Sequence, residues 1–169
     1  MKTKKILAVL LAAMTVMTMG LTACGDDSSS GSKDTGTSQS AGESSKSASA
    51  VADELKNGIE FKDSLNELDK AMYEKIYGLT DDMYKDGKIY IGSGGSTAEE
   101  IACFDANDAD GAAKIKEAFE KRIEDQKKAF ENYVPEELDK LGSAVIVTKG
   151  SSVYMCISND DAKAKEIIG

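Results

Sequence analysis

Histidine and tryptophan are absent from the 169 residues, proline occurs once, and aromatic side chains make up 6% of the chain. Without imidazole there is no Ser-His-Asp or Cys-His catalysis, no histidine general base and no histidine ligand for zinc. Without tryptophan the strongest platform for stacking a sugar is missing. Six tyrosines remain, but Tyr90 and Tyr154 fall within β-rich runs and read as ordinary strand residues. Cations are also in short supply, at 21 Lys+Arg against 30 Asp+Glu, a formal charge of −9. That balance does not suit the phosphates of nucleic acid, so no nucleic-acid partner is expected. It equally disfavours electrostatic adhesion to anionic lipid.

What is present starts with a basic cluster, Met1-Lys2-Thr3-Lys4-Lys5, followed by an uncharged run from Ile6 to Gly20. A positive n-region before a short apolar stretch describes an export signal. A permanent transmembrane helix needs about 20 apolar residues, and this run is shorter and flanked by acidic and serine residues. The stretch Leu21-Thr22-Ala23-Cys24 then resembles a bacterial lipobox. Small residues there fit a peptidase cleft, and the cysteine supplies the thiolate that takes the lipid. The resemblance implies a diacylglyceryl group on Cys24 and cleavage before it. At ~0.8 kcal/mol per buried methylene, two long acyl chains make a stable tether. Loss of residues 1–23 removes three lysines and no acids, leaving 18 − 30 = −12. Localisation follows: the cell membrane, lipid-anchored, facing outside.

The chain therefore divides into a signal peptide (1–23), a lipidated cysteine with a Ser/Gly-rich linker (24–50), and one globular domain (51–169). Nothing between Gly25 and Ala50 can bury enough apolar surface to offset the entropy of ordering it. A linker of this length spans roughly 25–30 Å on average and at most about 85–95 Å. The remaining chain is long enough for one domain that buries roughly 65% of its unfolded surface.

Within that domain Val51, Leu55 and Ile59 are spaced for a short helix, and Leu65, Leu68, Met72 and Ile76 for a second one ending at Gly78. Asp86-Gly87 signals a turn. The runs "KIYIGSG" and "AEEIACFDA" read as strands joined by Ser93–Thr97, the second covered on both faces. From Asp110 to Tyr133 the stripe Ile115, Phe119, Ile123 and Phe130 predicts a long amphipathic helix, with Glu117–Lys121 and Glu124–Lys128 pairs on its wet side. Pro135 separates it from a short helix over Glu136–Leu141. "SAVIVTKGSSVYMCIS" reads as a hairpin around Lys149-Gly150-Ser151, and Asp160 and Asp161 suit the start of a last helix. The fold class is α+β: an antiparallel or mixed four-stranded sheet with a long amphipathic helix and several short helices, mainly on one face.

The stretches "YGLTDDM", "AEEIACFDA", "KRIEDQKKAFENYVPEEL" and "AVIVTKGSSVYMCISND" together resemble domain-of-unknown-function family 4358. That resemblance implies a small lipoprotein of a Gram-positive bacterium and brings no catalytic residue with it. Cys103 and Cys156 stand in strands where an aliphatic residue is expected, and are read as reduced, buried thiols rather than a disulfide.

Three stretches invite a chemical reading. "DANDADGAAKIKE" aligns Gly111 with the invariant glycine of an EF-hand loop, but Ala106 then takes the first ligand position and Lys114 the ninth, which rules out a calcium cage. The bland alternative is a strand-to-helix loop with Asp110 near the helix cap. "GSGGS", Gly92–Ser96, lacks the following helix that a phosphate loop requires, so it reads as a hairpin loop. Glu99-Glu100 and Glu136-Glu137 are paired acids in a chain rich in acids, and on a strand such neighbours point to opposite faces. No catalytic residue, cofactor or metal is expected, and Cys24 is the one nominated site. The expected function is an extracytoplasmic module, anchored through lipid on Cys24, that binds an envelope protein or wall component. Small-solute binding and a carboxylate-dependent hydrolase are the alternatives.

Overall fold

The computed structural model describes residues 46–169; the expected signal segment, Cys24 and nearly all of the expected linker lie outside the described residues. Helix α1 (Ala48–Gly58) begins three residues before the domain was expected to start. The reason is tertiary. Its first amides are satisfied by distant carboxylates, Ala48 N donating to Asp105 Oδ2 at 3.0 Å and Ser49 N to Asp86 Oδ2 at 2.8 Å. Ser47 accepts from Ala50 N as a local cap, so three of the orphan donors of the helix end have acceptors.

After α1 come β1 (Leu65–Glu67), a 3-10 turn (Lys70–Met72), α2 (Tyr73–Tyr77), β2 (Tyr84–Gly92), β3 (Glu100–Ala106) and α3 (Ala109–Phe130). The chain closes with α4 (Glu137–Gly142), β4 (Val145–Lys149), β5 (Ser152–Ile157) and α5 (Asp161–Ile168). The sheet has five strands, in the order β1-β2-β3-β5-β4, all antiparallel. The expected four-stranded sheet is thus corrected by β1, which pairs Leu65 with Gly92 and Glu67 with Tyr90. Its residues were expected to open a helix. That helix instead starts after Asp69, whose carboxylate accepts from Ala71 N, and ends at Gly78 in the left-handed region at φ 71°.

The expected turn at Asp86-Gly87 is also corrected. Both residues lie inside β2, beside a register shift between Tyr84 and Asp86. Gly87 faces Phe104 across the ladder, and a Cβ there would run into the Phe104 ring. The glycine is a place where an aromatic ring lies over the backbone, not a chain reversal.

Helices cover both faces of the sheet, not one. Ile89, Ala102, Phe104, Val153 and Met155 pack with Tyr73, Tyr77, Ile115, Phe119 and Ile123 of α2 and α3. Tyr90, Ile101, Cys103, Tyr154 and Cys156 pack with Val51 and Leu55 of α1 and Ala164 and Ile168 of α5. The central strand β3 is consequently apolar on both sides, which is why its sequence shows no alternation. The stripe of α3 falls where its period placed it, with Ile115, Phe119, Ile123 and Phe130 all buried. Its surface pairs differ from those expected: Lys121 reaches Asp125, and Lys128 also turns to Asp125.

Candidate functional site

Two acids open the central strand. Glu99 and Glu100 are each only 1% exposed, and a buried carboxylate survives only when cations and donors replace its water. Glu100 shares the parity of Ala102 and Phe104 and meets one turn of α3. Arg122 donates to it from Nε at 3.1 Å and Nη2 at 2.8 Å, and Gln126 from Nε2 at 2.6 Å. The Tyr77 hydroxyl of α2 donates to the same carboxylate. Arg122 is the sole arginine of the chain, and its planar fork suits a bidentate grip that lysine cannot make. Burial pushes the Tyr77 phenol well up, and the charge of Glu100 adds to it. Burial pulls the other way on Arg122, but its bonds to Glu100 prevail and hold the guanidinium charged.

Glu99, at the entry to β3, takes different partners. It accepts from the backbone amides of Lys62 at 3.1 Å and Asp63 at 2.9 Å, and from Asn159 Nδ2 at 3.4 Å. Lys140 of α4, itself buried, lies 3.2 Å from Glu99 and 2.8 Å from Glu137. Glu137 in turn accepts from the Ala98 amide at 2.8 Å. Burial works to raise the Glu137 carboxyl, but the Ala98 amide and the Lys140 ammonium outweigh it and hold it below its ordinary value. The segment Ala98-Glu99-Glu100 is therefore gripped by both α4 and α3.

Above Glu100 lies a pocket of about 240 Å³, between the Gly92–Ser96 loop and α3. Ile91, Gly92, Thr97, Arg122, Gln126 and Phe130 are among the residues lining it. The loop is shaped from within: Asp63 accepts from Gly94 N at 2.6 Å, from Ser93 Oγ at 3.1 Å and from Ser64 N at 2.7 Å. Its glycine amide thus cradles a carboxylate of this chain rather than a phosphate. The Gly94 amide is the largest influence holding the Asp63 carboxyl below its ordinary value. Among the described residues, two buried side-chain polar atoms have no hydrogen-bond partner, Thr97 Oγ1 and Gln126 Oε1, and both residues are among those lining this pocket.

The other sequence candidates resolve differently. In "DANDADG" the cap of α3 is Asp108, which accepts from Gly111 N at 2.7 Å; Asp110 sits in the first turn. Ala106 is paired in the sheet with Tyr84. Among the described residues no three acidic or thiol side chains converge as a metal cluster. Of Glu136 and Glu137 only the second is buried. Cys103 and Cys156 are free and buried. They pair with Tyr154 and Ile101 respectively, so they are diagonal neighbours, whose spacing of about 7–8 Å exceeds disulfide reach. Tyr90 lies under Lys56 Nζ at 4.3 Å and donates to Asp53, an ordinary clasp of α1 to β2. Cys24 lies outside the described residues.

Sequence reasoning weighed Glu99 and Glu100 as paired acids and nominated neither, and it did not reach Arg122, Gln126 or Lys140. The signal was available: two acids heading a strand with no polar alternation, and a single arginine one long helix away.

The chain matches the family described as Domain of unknown function (DUF4358) over residues 57–158, a span that holds the pocket, the Glu100 network and every partner of Glu99 except Asn159. No curated protein and no solved structure matches it. Among the described residues no helix is long and apolar enough to cross a membrane.

Proposed function

The chain belongs to that family, and we propose that it acts as a membrane-tethered, extracytoplasmic binding module, held by lipid on Cys24 and engaging an envelope protein or wall component. The tether reading rests on the Leu21-Thr22-Ala23-Cys24 sequence. Binding rather than catalysis is supported by the state of the buried acids. A carboxylate offers about four acceptor sites, and Glu100 spends them on Tyr77, Arg122 Nε, Arg122 Nη2 and Gln126. Glu99 is held by four donors as well, the Lys62 amide, Lys140 and Asn159 on Oε1 and the Asp63 amide on Oε2. A general base must present a free lone pair to the proton it takes. Glu100, with two donors on each oxygen, is suited to shaping a site rather than to taking a proton in it.

The surface bears on the kind of partner. Among the described residues Tyr133, at 68% exposure, is the one large apolar side chain that stands out in solvent. A broad greasy protein interface would need several hundred Å² of such surface. The pocket beside Glu100, where apolar walls surround a few polar groups, is the better recognition feature, which favours a small group of a wall component as the thing held.

Two measurements test the proposal. Cys24→Ala should abolish acyl labelling and leave a longer precursor in cells; unchanged label and mature mass would sink the tether. A photo-crosslinking residue at Ser96, on the pocket rim loop, should capture a discrete envelope species in intact cells. Adducts no different from those of a site on the far side of the domain would remove the binding assignment.

A further inference from the structure

We propose that the pocket between the Gly92–Ser96 loop and α3 is a binding site for a neutral amide group of the kind a peptide presents, with Gln126 Oε1 accepting its N–H. This deepens the binding reading above and rests on it, but it is independent of the lipid tether.

The orientation of Gln126 carries the argument. Its Nε2 donates to Glu100 at 2.6 Å. Reversing the amide would set its oxygen against a carboxylate oxygen, so the network fixes which end is left over. The leftover is an acceptor, on a side chain only 5% exposed, and Oε1 has no donor among the described residues. Native proteins leave few buried polar atoms unpaired, and a pure acceptor can be completed only by a donor. Thr97 Oγ1 is the second unpaired atom, and a hydroxyl both gives and takes. Thr97 and Gln126 are both among the residues that line one pocket, their unpaired atoms buried in its wall.

The charges beside them select against an ion. Glu100 is neutralised by Arg122 at 2.8 Å. Asp125 on the rim is already shared by Lys121 at 2.5 Å and Lys128 at 3.4 Å. No charge of either sign is left to repay the desolvation of an ammonium or a carboxylate. Ile91, Ala129 and Phe130 supply apolar wall. An unpaired acceptor, an adjacent hydroxyl and apolar sides match an N–H, a neighbouring carbonyl and a small side chain. At about 240 Å³ the space admits one or two amide units. Gly92 leaves the room this needs, because a Cβ there would come within 3.0 Å of Thr97 Oγ1.

The test is a titration of the full chain, purified in detergent, with N-acetylalanine N-methylamide. Its comparison ligand is methyl 2-acetoxypropanoate, the same skeleton with each N–H replaced by oxygen. The side-chain amide resonance of Gln126 is assigned by its loss in Gln126→Leu, against those of Gln39 and five asparagines. A saturable shift of that resonance with the amide is expected, with the diester about tenfold weaker, the effect of one good hydrogen bond. Gln126→Leu should bind the amide about tenfold more weakly, followed by backbone resonances of the loop. Thr97→Val, a change in a loop that leaves the Glu100 network untouched, should weaken it by a smaller factor and keeps the test valid if Gln126→Leu is poorly folded. Equal binding of the two probes, no saturable shift, or wild-type affinity in Thr97→Val would overturn the site. Amide binding lost while Ser96 crosslinks persist would refute the pocket and leave the binding module standing.

Discussion

Glu99 and Glu100 are consecutive residues at the entry to β3 whose carboxylates take different partners, the first Lys140 at 3.2 Å and the second Arg122 at 2.8 Å. One dipeptide thereby ties the central strand to α4 and α3 with two separate buried ion pairs. Removing one partner of such a pair strands the other charge.

Glu100→Ala should therefore destabilise the domain by about 3–5 kcal/mol, measured by chemical denaturation. Replacing Glu100 and Arg122 together by methionine should recover most of that loss, because apolar groups of similar volume carry no desolvation cost. A double variant as unstable as the single one would mean that Tyr77 and Gln126, not the ion pair, hold the strand.

Acid sensitivity should begin at Glu137. Its folded carboxyl titrates below the ordinary 4.5. Below that value the unfolded chain binds the proton first, so the unfolded state carries more protons and stability rises with pH across the window. The contribution is complete above about pH 4.5 and is lost as pH falls through the folded value. Glu137→Gln should lower stability at neutral pH and flatten the acid limb of the stability–pH curve; an unchanged limb counts against this assignment.

The two strand thiols should be chemically silent. Burial pushes Cys156 up to about 12 from 9.0 and Cys103 well up as well. Alkylation at pH 8 should label neither in the native protein and both in urea. Between about pH 9 and 12 the unfolded thiol ionises while the folded one keeps its proton, so stability should fall as pH rises. A native mass lower by two hydrogens than the reduced mass would show a bridge instead.

Phe119, fully buried between Tyr77 and Phe104, is the anchor of α3. Phe119→Ala should cost about 3–5 kcal/mol, a large share of the ~5–15 kcal/mol of a whole domain. Exchanging the charges of Lys121 and Asp125, an exposed i,i+4 pair, should change stability by only about 0.3–0.5 kcal/mol. Denaturation midpoints of both variants check the contrast.

Gly87→Ala drives a methyl into the Phe104 ring. Overpacking of this sort costs about 1–3 kcal/mol, and Gly87→Ala combined with Phe104→Leu should be milder than the sum of the two. Strict additivity would show that ring and glycine do not meet.

The long helix, the β4–β5 hairpin and the closing helix were legible because each rests on local period or local turn chemistry. Ile115, Phe119 and Ile123 repeat at helical spacing whatever they pack against, and Gly150 at φ 59° makes a two-residue reversal wherever the strands lie. The failures are tertiary. Leu65, Leu68, Met72 and Ile76 mimic a helical stripe, yet Leu65 is claimed by the edge of the sheet and the buried pair of α2 is Tyr73 and Tyr77. Asp86-Gly87 carries a turn signal that the Phe104 ring converts into strand. The pocket was illegible for the same cause: Gln126 and Thr97 are distant in sequence, and only the grip of Glu100 decides which atom of Gln126 is left without a donor.

The way α1 is fastened has a mechanical consequence. Its first amides hang from Asp86 and Asp105, and Asp105 lies five residues along β3 from Glu100, roughly 17 Å at strand rise. A force applied between residue 46 and the pocket is thus drawn lengthwise along the central strand. The ladders joining β3 to β2 and β5 run across that line, so their bonds share the load in shear instead of opening singly. The first contact loaded is the N-terminal seat of α1, where two carboxylates hold two amides ahead of the buried Val51 and Leu55. Under pull the domain would shed its first helix before its sheet, and Asp105→Asn, by weakening that seat, should lower the force of the first yielding event in single-molecule extension while leaving the second unchanged.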